Sequence, residues 1–250
     1  MIEIRGTTTL VGLLGWPTAH SLSPPMQNAG FAALGLDWAY VPLPTPPERL
    51  GEAVQGLTAA GFAGANVTIP HKERVTLYCD ELDDVAAAAG SVNTLIVADG
   101  RVLGSSTDGA AVTSQVDVRE RKVLILGAGG SAKAVMHAVA SVGAAQIELS
   151  SRRDRGWPPT GEGVDVLVNC TPVKDEVIVT PRAGMQVVDL AYNADGSETA
   201  LVAAARRAGC ETVVDGLDVL LAQGAASFER WTGEPAPLAA MAAALRPSRS

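Results

Sequence analysis

The chain holds little from which to build a metal centre, a disulfide framework or a membrane span. Its three cysteines, Cys79, Cys170 and Cys210, are scattered, odd in number and without metal-ligand spacing, so a reducing cytoplasm is the simplest home for them. The three histidines, His20, His71 and His137, are equally dispersed, and no zinc or other metal site is expected. No run of about 18 apolar residues occurs, so nothing is expected to cross a membrane. The opening Met1-Ile2-Glu3-Ile4-Arg5 lacks the basic start and apolar core of a secretory signal. Basic residues number 19 against 27 acidic ones, and the net charge of -8 argues against a general affinity for nucleic acid or anionic membrane.

What is present is the composition of one large or two ordinary folded domains. A chain of 250 residues with 47% hydrophobic and 18% charged content can bury a sizeable core. Two textures divide it. Up to about Val102, short apolar runs alternate with helical patterns: strands are expected at Leu10–Leu14, Trp38–Leu43, Ala63–Ile69 and Ser91–Val97, and helices at Pro24–Leu34 and Pro47–Ala60. Asp99-Gly100 leads into a short hairpin-like Arg101-Val102-Leu103, and the alanine-rich Asp84–Ala89 and Leu238–Leu245 read as helices. Strands separated by helices imply an α/β sheet, mainly parallel.

The second texture opens at Arg121–Leu126, an apolar strand followed by Gly127-Ala128-Gly129-Gly130-Ser131-Ala132 and a helix over Ala132–Val142. Glycines there allow a tight turn and let backbone amides approach a pyrophosphate, which the helix N-terminus stabilises; the bland alternative is an ordinary strand–helix turn. Further strands are expected at Gln146–Ser150, Val164–Asn169, Gln186–Leu190 and Glu211–Val214, then a helical region at Leu217–Thr232. After the second strand of this half, Ser151-Arg152-Arg153 supplies guanidiniums suited to a ribose 2'-phosphate, which favours NADP. Asp154 follows and keeps NAD open, and a solvated basic turn is the plain alternative. In the first half, Asn66-Val67-Thr68-Ile69-Pro70-His71-Lys72 ends a strand in a turn that presents Lys72, either a catalytic ammonium or a surface charge. Ser21 and Ser23, just before a helix, read by themselves as capping residues.

Ordered motifs run through nearly the whole chain. They are Gly15-Trp16-Pro17-Thr18-Ala19-His20-Ser21-Leu22-Ser23-Pro24 with Asn28, Asn66 to Lys72, Gly90-Ser91-Val92-Asn93-Thr94, Ser106-Thr107-Asp108-Gly109 and the Gly127 hexad. Asn169-Cys170-Thr171-Pro172, Asp189-Leu190-Ala191-Tyr192 and Asp215-Gly216 through Gln223 to Gly233 continue the series. Together, and in this order, they resemble the shikimate dehydrogenase family. The resemblance implies reversible reduction of 3-dehydroshikimate to shikimate with NADPH. Hydride arriving at a carbonyl carbon builds charge on the oxygen, and by resemblance Lys72 and Asp108 form the proton-transfer pair; a structural ion bridge is the alternative. The resemblance also makes Ser21 and Ser23 binders of the substrate carboxylate, and Thr68, Asn93, Tyr192 and Gln223 its other polar contacts. It adds Thr171, Leu190, Gly216 and Val219 to the cofactor site, and makes His20 and His71 hydrogen-bonding turn residues.

The expected architecture is therefore α/β in two domains. Residues 1–104 with 233–250 form the substrate domain, and 105–232 a Rossmann-type dinucleotide-binding domain shortened after its second strand. Only 17 residues separate Ser151 from Asn169, where the family has room for another helix and strand. Arg152, Arg153 and Arg155 are expected to carry more of the cofactor's adenosine side in consequence. Gln27, Ser106, Lys174 and Asn193 also depart from the family's usual His, Asn, Gly and Pro. Quinate or an aminated shikimate-like acid is the alternative substrate, and a non-catalytic NADP sensor the alternative class. A monomer or homodimer acting on a small molecule is expected.

Overall fold

The structure, a computed structural model, describes residues 3–246. The chain forms two compact units, one running to Thr107 and resuming at Leu221, the other spanning Asp108–Leu220. Sequence reading put the chain's return at residue 233. The return falls twelve residues earlier because Gln223, Ser227 and Trp231 hydrogen-bond within the first unit, to Asn93 and Thr107, Asn66 and Leu95 respectively.

In the first unit, β1 (Thr9–Gly15), α1 (Ser23–Ala33), β2 (Trp38–Pro44), α2 (Leu50–Ala59) and β3 (Gly64–Val67) come first. They are followed by β4 (Glu81–Leu82), α3 (Asp84–Ala89), β5 (Thr94–Ala98) and β6 (Arg101–Ser105). The sheet order is β2-β1-β3-β5-β6-β4. It is mainly parallel, as expected, but mixed: β1 pairs parallel with β2 and β3 and β4 with β6, while β5 runs antiparallel to both β3 and β6. The hairpin reading explains this, since Asp99 and Gly100 both take left-handed φ (51° and 74°), the conformation a two-residue turn requires. The fourth strand starts three residues later than expected. The amides of Val92 and Asn93 instead reach Lys72 O at 2.8 Å and Ser105 O at 3.0 Å, which makes that stretch a buried loop.

The second unit begins with the unforeseen α4 (Asp108–Thr113), then β7 (Lys122–Leu126), α5 (Gly130–Val142), β8 (Gln146–Ser150) and β9 (Val166–Asn169). β10 (Gln186–Asp189), α6 (Ala200–Arg207) and β11 (Thr212–Val214) complete the all-parallel sheet β11-β10-β9-β7-β8. The shortening shows at one side of it. Residues 151–165 carry no helix or strand, so β8 is the edge and Leu149 is left 38% exposed. The long α7 (Gly216–Thr232) then carries the chain back into the first unit, where α8 (Leu238–Leu245) buries Met241 and Leu245. Close helix contact there needs small residues: a Cβ on Gly224 would lie 2.2 Å from Met26 Cε, and one on Gly30 would lie 3.0 Å from Phe228. Phe31 stacks on Phe228 with ring centroids 5.1 Å apart. Among the described residues, no helix is long and apolar enough to cross a membrane.

Candidate active site

In the first unit, the ends of β1, β3 and β5 and one turn of α7 converge on a buried cluster of neutral polar groups. Asn93 is 2% exposed. Its Oδ1 accepts from the Thr107 amide at 2.9 Å, and its Nδ2 donates to Thr107 Oγ1 at 2.8 Å and to Gln223 Oε1 at 3.3 Å. Two of the expected substrate contacts, Asn93 and Gln223, are thus brought together, with Thr107 between them. Lys72 is tied to the same segment through its carbonyl, which accepts from Val92. Thr68 packs over Gly15, where a Cβ would come within 2.4 Å of Thr68 Cγ2. His71 is buried with its ring Nε2 2.7 Å from Thr45 O, the turn-holding role expected of it.

Ser21 and Ser23 do not cap α1. The N-cap position is Leu22, and Ser21 Oγ accepts from the amide of Ser23, the first helical residue, at 3.2 Å. Pro24 and Pro25 have no N–H and the Met26 amide bonds Leu22 O, so the start of α1 offers an anion the hydroxyls of Ser21 and Ser23 rather than a row of free amides. Gln27, where the family has His, is fully buried and donates to Gly224 O at 2.9 Å. The Ser106 hydroxyl is buried without a hydrogen-bond partner.

In the second unit, α5 starts at Gly130, two residues before the expected Ala132, with Gly129 as an extended N-cap and no side-chain cap. Gly127 takes φ 119°, and a Cβ there would lie 3.3 Å from the Cys170 main chain, so only glycine fits the turn. Ala128 and Gly129 are exposed while Ala132 is buried against the sheet. Ser131, expected as a cofactor contact, donates to Asp108 Oδ2 at 2.9 Å. Asp108 is 4% exposed and is carried there by Gly109, whose Cβ would lie 2.5 Å from Ala134 O. The glycine turn and the expected catalytic carboxylate are therefore one connected structure.

After β8, Ser151, Arg152, Arg153 and Arg155 occupy a turn in which all three guanidinium residues are exposed. The Asp154 carboxylate belongs to the same turn: its Oδ2 accepts from the Ser151 amide at 2.7 Å and closes the turn on itself. Thr171, Leu190 and Tyr192 sit on loops that one buried side chain organises. Asp189, fully buried, accepts from Asn169 Nδ2 at 2.9 Å, the Ala191 amide at 3.0 Å and Thr199 Oγ1 at 2.6 Å. Asn169 in turn accepts from the Thr171 amide and hydroxyl at 3.0 and 2.7 Å. Burial pushes the Asp189 carboxyl above its ordinary range, against the pull of those donors. A Cβ on Gly216 would lie 2.2 Å from Ala191 O, so the start of α7 is pressed onto the same loop, with Val219 buried one turn on. Asp215 caps this helix, accepting from the amides of Leu217 and Asp218.

The sequence alone suggests no role for Asp189, Thr107 or Ser227. Asp189 had a visible signal, an acid closing an apolar strand, but Ser227 had none. The thiol of Cys79 is pushed up to about 11 by burial and by Asp80, which leaves it protonated at neutral pH.

A glycine-cradled helix N-terminus beside exposed arginines fits a phosphorylated dinucleotide, and the other unit offers amides and hydroxyls. Residues 13–95 match the shikimate dehydrogenase substrate binding domain, and 216–246 the shikimate 5'-dehydrogenase C-terminal domain. The shikimate dehydrogenase (NADP(+)) of Moorella thermoacetica is 40% identical, covering 98% of this chain and 95% of its own. That of Rubrobacter xylanophilus is 41% identical over 97% of each. Among solved structures, a shikimate dehydrogenase in complex with NADP+ aligns with a TM-score of 0.88 at 32% identity, covering 97% of this chain and 96% of that one. A 5-ketofructose reductase of a Gluconobacter strain shares the fold at 27% identity and a TM-score of 0.81, covering 96% of this chain and 99% of its own. With relatives this similar over almost its full length, the chain belongs to the shikimate dehydrogenase family.

Proposed function

We propose that the chain is an NADP-dependent oxidoreductase that interconverts 3-dehydroshikimate and shikimate. The observation that carries this is the near-full-length identity of about 40% to relatives named for that activity. NADPH, when bound, supplies the hydride. The Gly127–Ala132 turn and the N-terminus of α5 hold its pyrophosphate, Arg152, Arg153 and Arg155 its 2'-phosphate, and Thr171, Leu190, Gly216 and Val219 its nicotinamide side.

For the substrate, the hydroxyls of Ser21 and Ser23 bind the carboxylate. Thr68, Asn93, Tyr192 and Gln223 bind the ring hydroxyls. Lys72 gives its proton to the carbonyl oxygen as the carbon is reduced, and the resulting amine recovers a proton from solvent. Asp108 orients the ammonium and favours its charged form. Ser131, donating to Asp108 Oδ2, helps hold that carboxyl in place. The enzyme works on a small molecule, in the cytoplasm, as a monomer or homodimer; the three free cysteines are consistent with a reducing compartment.

The test is NADP+ reduction with shikimate, quinate, aminoshikimate and the reduced partner of 5-ketofructose, each repeated with NAD+. Shikimate with NADP+ should give the highest kcat/KM. A higher value for another substrate moves the assignment to that paralogous activity, and binding of NADP+ without turnover of any of them points to the sensor.

A further inference from the structure

We infer that Ser227, on the buried face of α7, is a positioning residue that reinforces, through Thr94, the orientation of the Asn93 amide; this rests on Asn93 and Gln223 being substrate contacts. Ser227 is fully buried in the first unit. Its Oγ lies 2.9 Å from Asn66 Nδ2, 2.8 Å from Thr94 Oγ1 and 3.0 Å from Gln223 O. One hydroxyl thus joins β3, β5 and the very turn of α7 that carries Gln223.

Main-chain groups fix both amides without ambiguity. Asn93 O is an acceptor only, so the Asn66 group 3.1 Å from it is Nδ2, and Oδ1 is left to accept from Tyr40 OH at 2.9 Å. The Thr107 amide is a donor only, so the Asn93 atom it meets is Oδ1. Two hydroxyl protons then remain, on Ser227 and Thr94, for three short oxygen contacts. If Ser227 gives its proton to Gln223 O, Thr94 Oγ1 keeps only a 3.4 Å contact from Asn66. If Ser227 donates to Thr94, and Thr94 to Asn93 Oδ1 at 3.0 Å, every acceptor in the cluster has a short donor. Gln223 O is then served by Thr107 Oγ1 at 3.1 Å. That arrangement runs in one direction, from Tyr40 through Asn66, Ser227 and Thr94 to Asn93 Oδ1. It adds a second donor to the Oδ1 that the Thr107 amide already holds, and so steadies Nδ2 toward Thr107 and Gln223, where a substrate hydroxyl would compete with Gln223 Oε1 for its second proton. The other arrangement leaves Thr94 Oγ1 only the long contact from Asn66, so this one is the better served and holds its members more firmly.

The Ser227→Ala variant of the whole chain should raise the KM for shikimate about five- to tenfold, the scale of one buried hydrogen bond. Its kcat should stay within about twofold, and its KM for NADP+ unchanged, as expected for an effect confined to substrate contacts. Ser227→Thr, which keeps the hydroxyl, should restore most of the loss. On a Thr94→Val background Ser227→Ala should add little, because the effect passes through Thr94. An unchanged shikimate KM, additive effects, or an equal rise in the NADP+ KM would overturn the inference. If the parent protein does not turn over shikimate, the functional reading falls by itself. The Asn93 side-chain amide protons, identified by their loss in Asn93→Ala, then decide: slow solvent exchange in the parent that quickens in Ser227→Ala upholds the positioning role, and equal exchange overturns it.

Discussion

The two units solve the same problem, holding several loops at the ends of buried strands, with opposite chemistry. In the first, the organising groups are all neutral: Tyr40, Asn66, Asn93, Thr94, Thr107, Gln223 and Ser227. In the second, one buried carboxylate, Asp189, gathers Asn169, Ala191 and Thr199. A neutral cluster needs only satisfied donors and acceptors, and it can present either kind of group to a polyhydroxylated ring. A buried carboxylate carries a desolvation penalty that its donors must offset, and in return it makes stronger, acceptor-only bonds. On the proposed function, the difference teaches that a neutral cluster suits discrimination among hydroxyls, whereas a buried carboxylate suits holding fixed loops for a ligand recognised through its phosphates.

The largest expected effect lies outside both clusters. Lys72→Ala should lower kcat by about a thousandfold or more while NADP+ still binds with parent affinity, measured by steady-state kinetics and calorimetry. Retained turnover would return Lys72 to a surface charge. Next, Asp189→Ala should destabilise the protein by about 3 kcal/mol in denaturant melts, because three buried donors lose their acceptor at once. A loss comparable to that of Thr94→Val would erase the contrast between the clusters.

The charge on Asp189 also gives a pH signature. Its folded carboxyl is raised above the ordinary 3.8, chiefly by burial. Between the unfolded and folded values the native state therefore binds more protons than the unfolded one, and this group's contribution to stability falls as pH rises through that window. The Tm of the parent relative to Asp189→Asn should accordingly be more favourable below the ordinary aspartate value than at neutral pH; a constant difference would mean the carboxyl is not raised. Smaller again, replacing Arg152, Arg153 and Arg155 together with alanine should weaken NADP+ about tenfold or more and leave NAD+ within about twofold. An unchanged NADP+ affinity would remove these residues from the site. The smallest effect is expected for Ser131→Ala, a fall in kcat of about three- to tenfold from loss of one donor to Asp108.

Much of this was legible in the sequence where local chemistry decides the outcome. The glycine turn, the edge-making gap after Ser150 and the Asp99-Gly100 hairpin are each set by a few adjacent residues. Errors came where distant partners decide. The start of α5 was placed late because Gly130 has poor helix propensity, which packing overrides. The short α6 escaped because eight residues, capped by Thr199, give too little periodic pattern to read. Lys72 stood out from its strand-ending turn as a catalytic ammonium or a surface charge, whereas Asn93 and Gln223 stood out only through the family resemblance. Ser227 was invisible by any local rule: a serine inside a helix looks like filler until Asn66, 161 residues away, is seen to donate to it.

The most direct test of the division between the units is the steady-state KM for shikimate and for NADP+, measured on Asn93→Ala beside the triple arginine variant. Each variant is predicted to raise the KM of one ligand only, shikimate for Asn93→Ala and NADP+ for the arginines. A parallel rise in both KM values for either variant, or a parent enzyme that leaves shikimate unreacted, would contradict it.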